Sequence, residues 1–96
     1  MTGTAVVSLL VPAKDEAENL PEFLRQCAEA LPRVGVPFEV VVVDDGSRDA
    51  TPDVLRALQA KHDFLRVVTH RRQLGIADAL RSAGEAATGD IFVFYP

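Results

Sequence analysis

Val40-Val41-Val42-Val43-Asp44-Asp45-Gly46-Ser47 decides the fold. Four β-branched residues in a row make a strand with no polar face, as in a sheet covered on both sides. The strand reads over residues 38–43 and ends abruptly in two acids, a glycine and a serine. Upstream, residues 5–11 are also apolar nearly throughout and read as a first strand, followed by a polar loop over 12–18. Asn19 then caps a helix, with Glu22 as capping-box partner and Pro21 in the first turn. Leu20, Phe23, Leu24, Cys27, Ala28 and Leu31 form its apolar stripe. Pro32 and Gly35 stop it. Downstream, Thr51-Pro52-Asp53 opens a second helix with Thr51 as N-cap, and Val54, Leu55 and Leu58 face inward. Residues 64–69 form a third strand. Residues 75–87 form a third helix with Ile76, Ala79, Leu80, Ala83 and Ala87 on one side. Gly89-Asp90 then turns the chain into a fourth strand over 91–95.

This β-α-β-α-β-α-β alternation predicts an α/β, three-layer Rossmann-like parallel sheet with right-handed crossovers. The expected strand order is 3-2-1-4, which opens a crevice beside the end of strand 1. A chain of 96 residues makes one small domain. At 48% hydrophobic and 25% charged it is globular in composition. A net charge of −4 argues against nucleic acid as a partner. The lone Cys27 excludes an internal disulfide and sits on the helix stripe as core filling. Met1-Thr2-Gly3-Thr4 lacks the basic residues of a signal peptide. The apolar runs are too short to span a bilayer. A cytoplasmic location, at the membrane face, is the expectation.

Ligands of open parallel sheets bind outside the carboxyl ends of the strands. Lys14, Asp15 and Glu16 follow the first strand, Asp44, Asp45 and Ser47 the second, and His70, Arg71, Arg72 and Gln73 the third. Adjacent carboxylates at the end of an apolar strand are costly unless solvated or bound. They point to opposite sides. Asp44 is therefore expected to receive hydrogen bonds from a base or ribose, while Asp45 braces the loop. The same residues also describe a simple turn, with Gly46 at positive φ. The backbone at Ala13 would line a base pocket, Glu16 would meet the ribose, and His70-Arg71-Arg72 would attract phosphate. Each of these loops can equally be a solvated connection. No zinc spacing surrounds His70. No Gly-x-Gly-x-x-Gly follows a strand, and there is no P-loop.

At these residues the sequence resembles the family-2 glycosyltransferases, which have the GT-A nucleotide-diphospho-sugar transferase fold, and in particular their dolichol-phosphate-mannosyltransferase-like branch. Pro12-Ala13-Lys14-Asp15-Glu16 resembles the family's Pro-x-x-Asn-Glu loop, with Asp15 in place of the common Asn. Val42 to Asp49 resembles its second nucleotide motif, and Gln73-Leu74-Gly75 stands at its Asn-x-Gly position. Ala79 and Gly89-Asp90 follow in register, whereas Ala83 stands where Gly is usual. The resemblance implies that residues 1–96 are a partial domain, the donor-nucleotide half, cut after the fourth strand. Pro12, Ala13, Glu16, Asp44, Asp45, Ser47, Arg72, Gln73 and Gly75 would bind a UDP- or GDP-sugar. Intact relatives would pass the sugar to an acceptor such as a polyprenyl phosphate.

The resemblance further implies a divalent cation, Mg²⁺ or Mn²⁺, whose acidic motif lies beyond the fourth strand. No catalytic or metal-ligating residue is therefore assigned within this chain, and sugar transfer by it alone is not expected. Phe92 and Phe94 on an uncovered fourth strand predict self-association. Two other functions compete. A non-catalytic nucleotide- or partner-binding module would lack metal-dependent donor hydrolysis. A response-regulator-like receiver would need its acid pair after the first strand, and here the pair follows the second.

Overall fold

The computed structural model describes residues 5–95. Met1 to Thr4, the stretch without basic residues, and Pro96 lie outside them. Four strands, β1 (Val7–Ala13), β2 (Phe38–Asp45), β3 (Leu65–His70) and β4 (Ile91–Phe94), form one sheet in the order β3-β2-β1-β4. All three pairings are parallel, with Val7 opposite both Phe38 and Ile91, and Val40 opposite Leu65. The helices are α1 (Leu20–Ala30), α2 (Thr51–Lys61) and α3 (Ile76–Ala86).

The valine run shows why the sheet needs two covered faces. Val40 and Val42 pack with Val11, Leu20, Leu24, Cys27, Leu55 and Leu58 under α1 and α2. Val41 and Val43 pack with Leu10, Ala79 and Ala83 under α3. All four valines are fully buried. Asp44 and Asp45 continue the alternation, so Asp45 emerges on the α3 side and Asp44 on the other.

Several strand and helix ends move by a residue or two from the sequence reading, β2 running on through Asp44 and Asp45 and β4 ending at Phe94, and four departures bear on packing. First, β1 runs on through Pro12 and Ala13, which pair with Val43 and Asp44. Leu10 accepts a hydrogen bond from the Tyr95 N–H of the chain after β4 (2.9 Å). Pro12, two residues later, turns its nitrogen to the same side, where β4 has ended, so its missing N–H costs no ladder bond.

Second, no capping box forms at α1. The Glu22 carboxylate is taken by Arg25 and Gln26, while the Asn19 amide donates to Glu16 Oε2 (3.3 Å). Third, Ala50 rather than Thr51 is the N-cap of α2, and the Thr51 N–H donates to Asp49 Oδ1 (2.8 Å). Fourth, Ile76 opens α3 and stands exposed instead of joining the core. Between α1 and β2, residues Leu31–Val34 form a 3₁₀ turn that Gly35 ends in the left-handed region (φ 82°).

A buried polar cluster, not foreseen from the sequence, closes the lower end of the sheet. Glu39 accepts hydrogen bonds from the Ser8 hydroxyl (2.6 Å) and from the Thr88 N–H (2.6 Å) and hydroxyl (3.2 Å), and it pairs with Arg66 (2.6 Å). The Gly89 N–H donates to Ser8 Oγ (3.0 Å). A Cβ on Gly89 would collide with that oxygen, so only glycine fits. Asp90 bonds the Val6 backbone here, at the end of the sheet opposite the acid pair.

Candidate functional site

The strand order reverses between β2 and β4 on either side of β1, and a cleft of about 850 Å³ opens at that point. Its floor is Val11, Pro12 and Ala13 at the end of β1. Leu20 and Phe23 of α1 form one wall, and Ile76 and Leu80 of α3 the other. Phe94 and Tyr95 close the side, with the Tyr95 ring centroid 4.7 Å from that of Phe23. Lys14, Glu16, Asn19, Asp45, Gln73 and Gly75 supply the polar groups. A second, polar recess of about 550 Å³ lies between the three loops, lined by Lys14, Asp15, Gly46, Ser47, Arg48, Arg71, Arg72 and Gln73. Lys14 and Gln73 border both.

The nine residues singled out in the sequence divide between these spaces. Pro12, Ala13, Glu16, Asp45, Gln73 and Gly75 line the cleft, and Ser47, Arg72 and again Gln73 line the recess. Asp44 lines neither. It is buried, its Oδ1 accepts from the Ser47 N–H (3.1 Å), and its Oδ2 has no partner among the described residues.

Asp45 braces the loop after β3. Its Oδ1 accepts from the Leu74 N–H and its Oδ2 from the Gly75 N–H, both at 2.9 Å. His70 Nδ1 lies 2.8 Å from Asp45 Oδ1. Burial pushes the Asp45 carboxyl up, but the hydrogen bonds from His70, Leu74 and Gly75 outweigh it and hold the group below its ordinary value. Asp45 is therefore an anion, and His70 Nδ1 is the donor. His70 thus turns inward to Asp45 and Ser82, away from the cluster of Arg71 and Arg72 with which the sequence groups it.

The loop after β1 is held by bonds between residues to which the sequence reading gives other roles. Asp15 adopts a left-handed conformation (φ 54°), which Asp tolerates better than most residues. Its Oδ1 accepts from the Arg48 (2.7 Å) and Asp49 (3.2 Å) N–H groups, and its own N–H donates to Ser47 Oγ (2.9 Å). The Arg48 bond is the largest influence keeping its carboxyl below the ordinary value. Asp49 accepts from the Thr51 hydroxyl and the Ala17 N–H, and Thr51 Oγ1 accepts from the Glu16 N–H (3.0 Å). Lys14 Nζ donates to the Gly46 carbonyl (2.7 Å) and pairs with Asp15. The signal for this lacing was in the sequence. Asp, Ser and Thr in facing loops bond backbone N–H groups readily.

Among the described residues no three His, Cys, Asp or Glu side chains converge as a metal site. No helix among the described residues is long and apolar enough to cross a membrane.

The geometry has relatives. The family model of Glycosyl transferase family 2 matches residues 8–95. The undecaprenyl-phosphate 4-deoxy-4-formamido-L-arabinose transferase of Pseudomonas syringae is 36% identical over 89 residues, covering 91% of this chain and 26% of its own length. The glycosyltransferase AglD of Haloferax volcanii is 36% identical over 91 residues, covering 93% of this chain and 15% of its own length. A solved mannosyltransferase from Pyrobaculum calidifontis, in complex with GDP-Man and Mn²⁺, superposes with a TM-score of 0.77 at 35% identity. It covers 96% of this chain and 27% of the other. TarS of S. aureus, solved in complex with UDP, gives the same TM-score at 28% identity, with 93% and 26% covered. The chain thus spans about a quarter or less of the length of these relatives. Its sheet is the Rossmann-like sheet of the GT-A glycosyltransferases, and the chain belongs to glycosyl transferase family 2.

Proposed function

We propose that this chain forms the donor-binding part of a glycosyltransferase and holds a UDP- or GDP-sugar at the ends of β1, β2 and β3. The observation that carries this reading is the adjacency of two unlike spaces across Lys14 and Gln73. An apolar cleft suits a flat ring, and a recess bordered by Arg48, Arg71 and Arg72 suits a diphosphate. In this reading the Pro12 and Ala13 backbone lies against the base and Glu16 accepts from the ribose. Asp44 offers its unpartnered oxygen once the Ser47 loop shifts, and Asp45 keeps the Gln73–Gly75 backbone in place. Arg72, Gln73 and Ser47 face the phosphates.

The names of the relatives support a sugar donor of this kind, one solved with GDP-Man and another with UDP. A relative named for undecaprenyl phosphate supports a polyprenyl-phosphate acceptor, which would bring the protein to the cytoplasmic membrane face. Such an acceptor is already anionic and needs little help from a base. The cation of the whole reaction, Mg²⁺ or Mn²⁺, would neutralise the leaving diphosphate. The described residues do not fit a cation site, so this chain's own part is binding and orientation. Self-association through β4 belongs to the same proposal.

Calorimetry with GDP and UDP tests the reading. Arg72→Ala should weaken binding by ~1.5–3 kcal/mol, the scale of a hydrogen bond to a charged group. Equal affinity in the native and variant proteins, or no binding to either nucleotide, refutes it.

A further inference from the structure

Asp45, His70 and Ser82 form a continuous hydrogen-bonded chain from the loop beside the cleft to the middle of α3. His70 Nδ1 lies 2.8 Å from Asp45 Oδ1, and His70 Nε2 lies 2.7 Å from Ser82 Oγ. Both the Asp45 and His70 side chains are at most a tenth exposed. The order Ser-His-Asp is that of a nucleophile relay. However, Ser82 lines neither the cleft nor the recess, so it does not face the space proposed for the donor. The chain runs the other way. Asp45 Oδ1 is shared between His70 and the Leu74 N–H, and Oδ2 takes the Gly75 N–H.

We propose that His70 and Ser82 are positioning residues, which through Asp45 hold the Leu74–Gly75 backbone in the shape that receives the donor. The proposal deepens the donor-site reading and rests on it. Asp45 sits at a strand end with two oxygens and must choose among rotamers. A ring donor fixed by α3 removes that choice. Gly75 has φ 104°, a conformation closed to most residues, and its N–H bond to Asp45 is what selects it. Ser82 completes the chain because it can serve His70 in either protonation state. It donates to Nε2 of the neutral ring and accepts from Nε2–H of the cation. The signature of the clamp is a tautomer: Nδ1 protonated and Nε2 bare in the neutral ring.

The test uses the ¹⁵N-labelled chain. Long-range ¹H–¹⁵N correlation spectra of the neutral ring should show protonated Nδ1. Amide exchange at Leu74 and Gly75 should quicken about tenfold in His70→Gln and about threefold in Ser82→Ala, the losses of a charged and a neutral hydrogen bond. Ser82→Thr should restore the native rates. Leu55 and Leu58 in α2 should exchange alike in every variant that folds. GDP or UDP binding should weaken by about the same factors. A bare Nδ1, or native exchange at Leu74 and Gly75 in Ser82→Ala, overturns the proposal. Should His70→Gln fail to fold, Ser82→Ala, which removes one hydroxyl from α3, decides alone. If the native chain binds neither nucleotide, the donor reading falls, and the tautomer and exchange rates still judge the clamp.

Discussion

Gly46 carries the closest approach in the site. It follows the acid pair with φ 74°, and a Cβ there would overlap the backbone of Arg72 and Gln73. Both facts forbid a side chain, and backbone atoms cannot swing aside as a flexible side chain would. Gly46→Ala should therefore cost about 1–3 kcal/mol in a urea melt and part the β2 and β3 loops. A native melting midpoint in the variant would show that the loops do not touch in solution. Asp44 illustrates the opposite case. It is buried with one oxygen unpartnered among the described residues, which strand alternation alone could not reveal.

At the level of elements, the sequence is clear where a face is buried and unclear where a loop decides. The valine run reads correctly because burial on both faces leaves an unbroken apolar run, and Leu20, Leu24 and Cys27 of α1 and Ala79 and Ala83 of α3 because burial on one face leaves a periodic trace. The strand order follows from alternation and handedness. Helix caps read poorly because several oxygens compete for the same N–H groups. Asp49 reaches Thr51, and Arg25 draws Glu22 away from the cap. Of the candidate site, the loops carrying it are legible. The inward turn of His70 and the Asp15 lacing are not, since they depend on partners 12 to 34 residues distant.

The β4 strand has its own consequence. Ile91, Phe92, Val93 and Phe94 are each more than two-fifths exposed, and β4 is an edge of the described sheet. An apolar edge strand is a template for another chain. The sedimentation coefficient should rise with protein concentration, and Phe94→Lys should suppress the rise. A concentration-independent monomer would rule out association through this edge.

Across the whole molecule, stability should depend on acid more than the net charge of −4 suggests. Burial raises the Glu39 carboxyl, but hydrogen bonds from Ser8 and Thr88 and the charge of Arg66 prevail, leaving it below its ordinary 4.5. Asp45 likewise lies below its ordinary 3.8. A carboxylate with a depressed folded pKa contributes stability above its unfolded value and loses it as pH falls through the folded one. Urea midpoints should thus be level down to about pH 5 and decline below it. Glu39→Gln should flatten part of that decline. Glu22, though lowered to about 2 by Arg25 and Gln26, is exposed and should contribute little in salt. Midpoints unchanged down to about pH 3 would contradict this linkage.

The cluster of Ser8, Glu39, Thr88 and Gly89 gives β4 a direction of opening. The strand joins the sheet long after its partner β1 in the chain, and 81 positions separate the hydrogen-bonded Gly89 and Ser8. Such a distant pairing costs more loop-closure entropy than a local one. Its ladder with β1 runs from Ile91 to Phe94, and the bonds that reinforce it gather where it enters, through Thr88, Gly89 and Asp90 with Val6. Beyond the ladder its far end adds the Tyr95-to-Leu10 bond and a ring contact with Phe23. Native-state exchange should therefore run as a gradient, slow at Thr88 and Asp90 and fast at Tyr95. In Glu39→Gln the gradient should level, because unzipping could then start from either end.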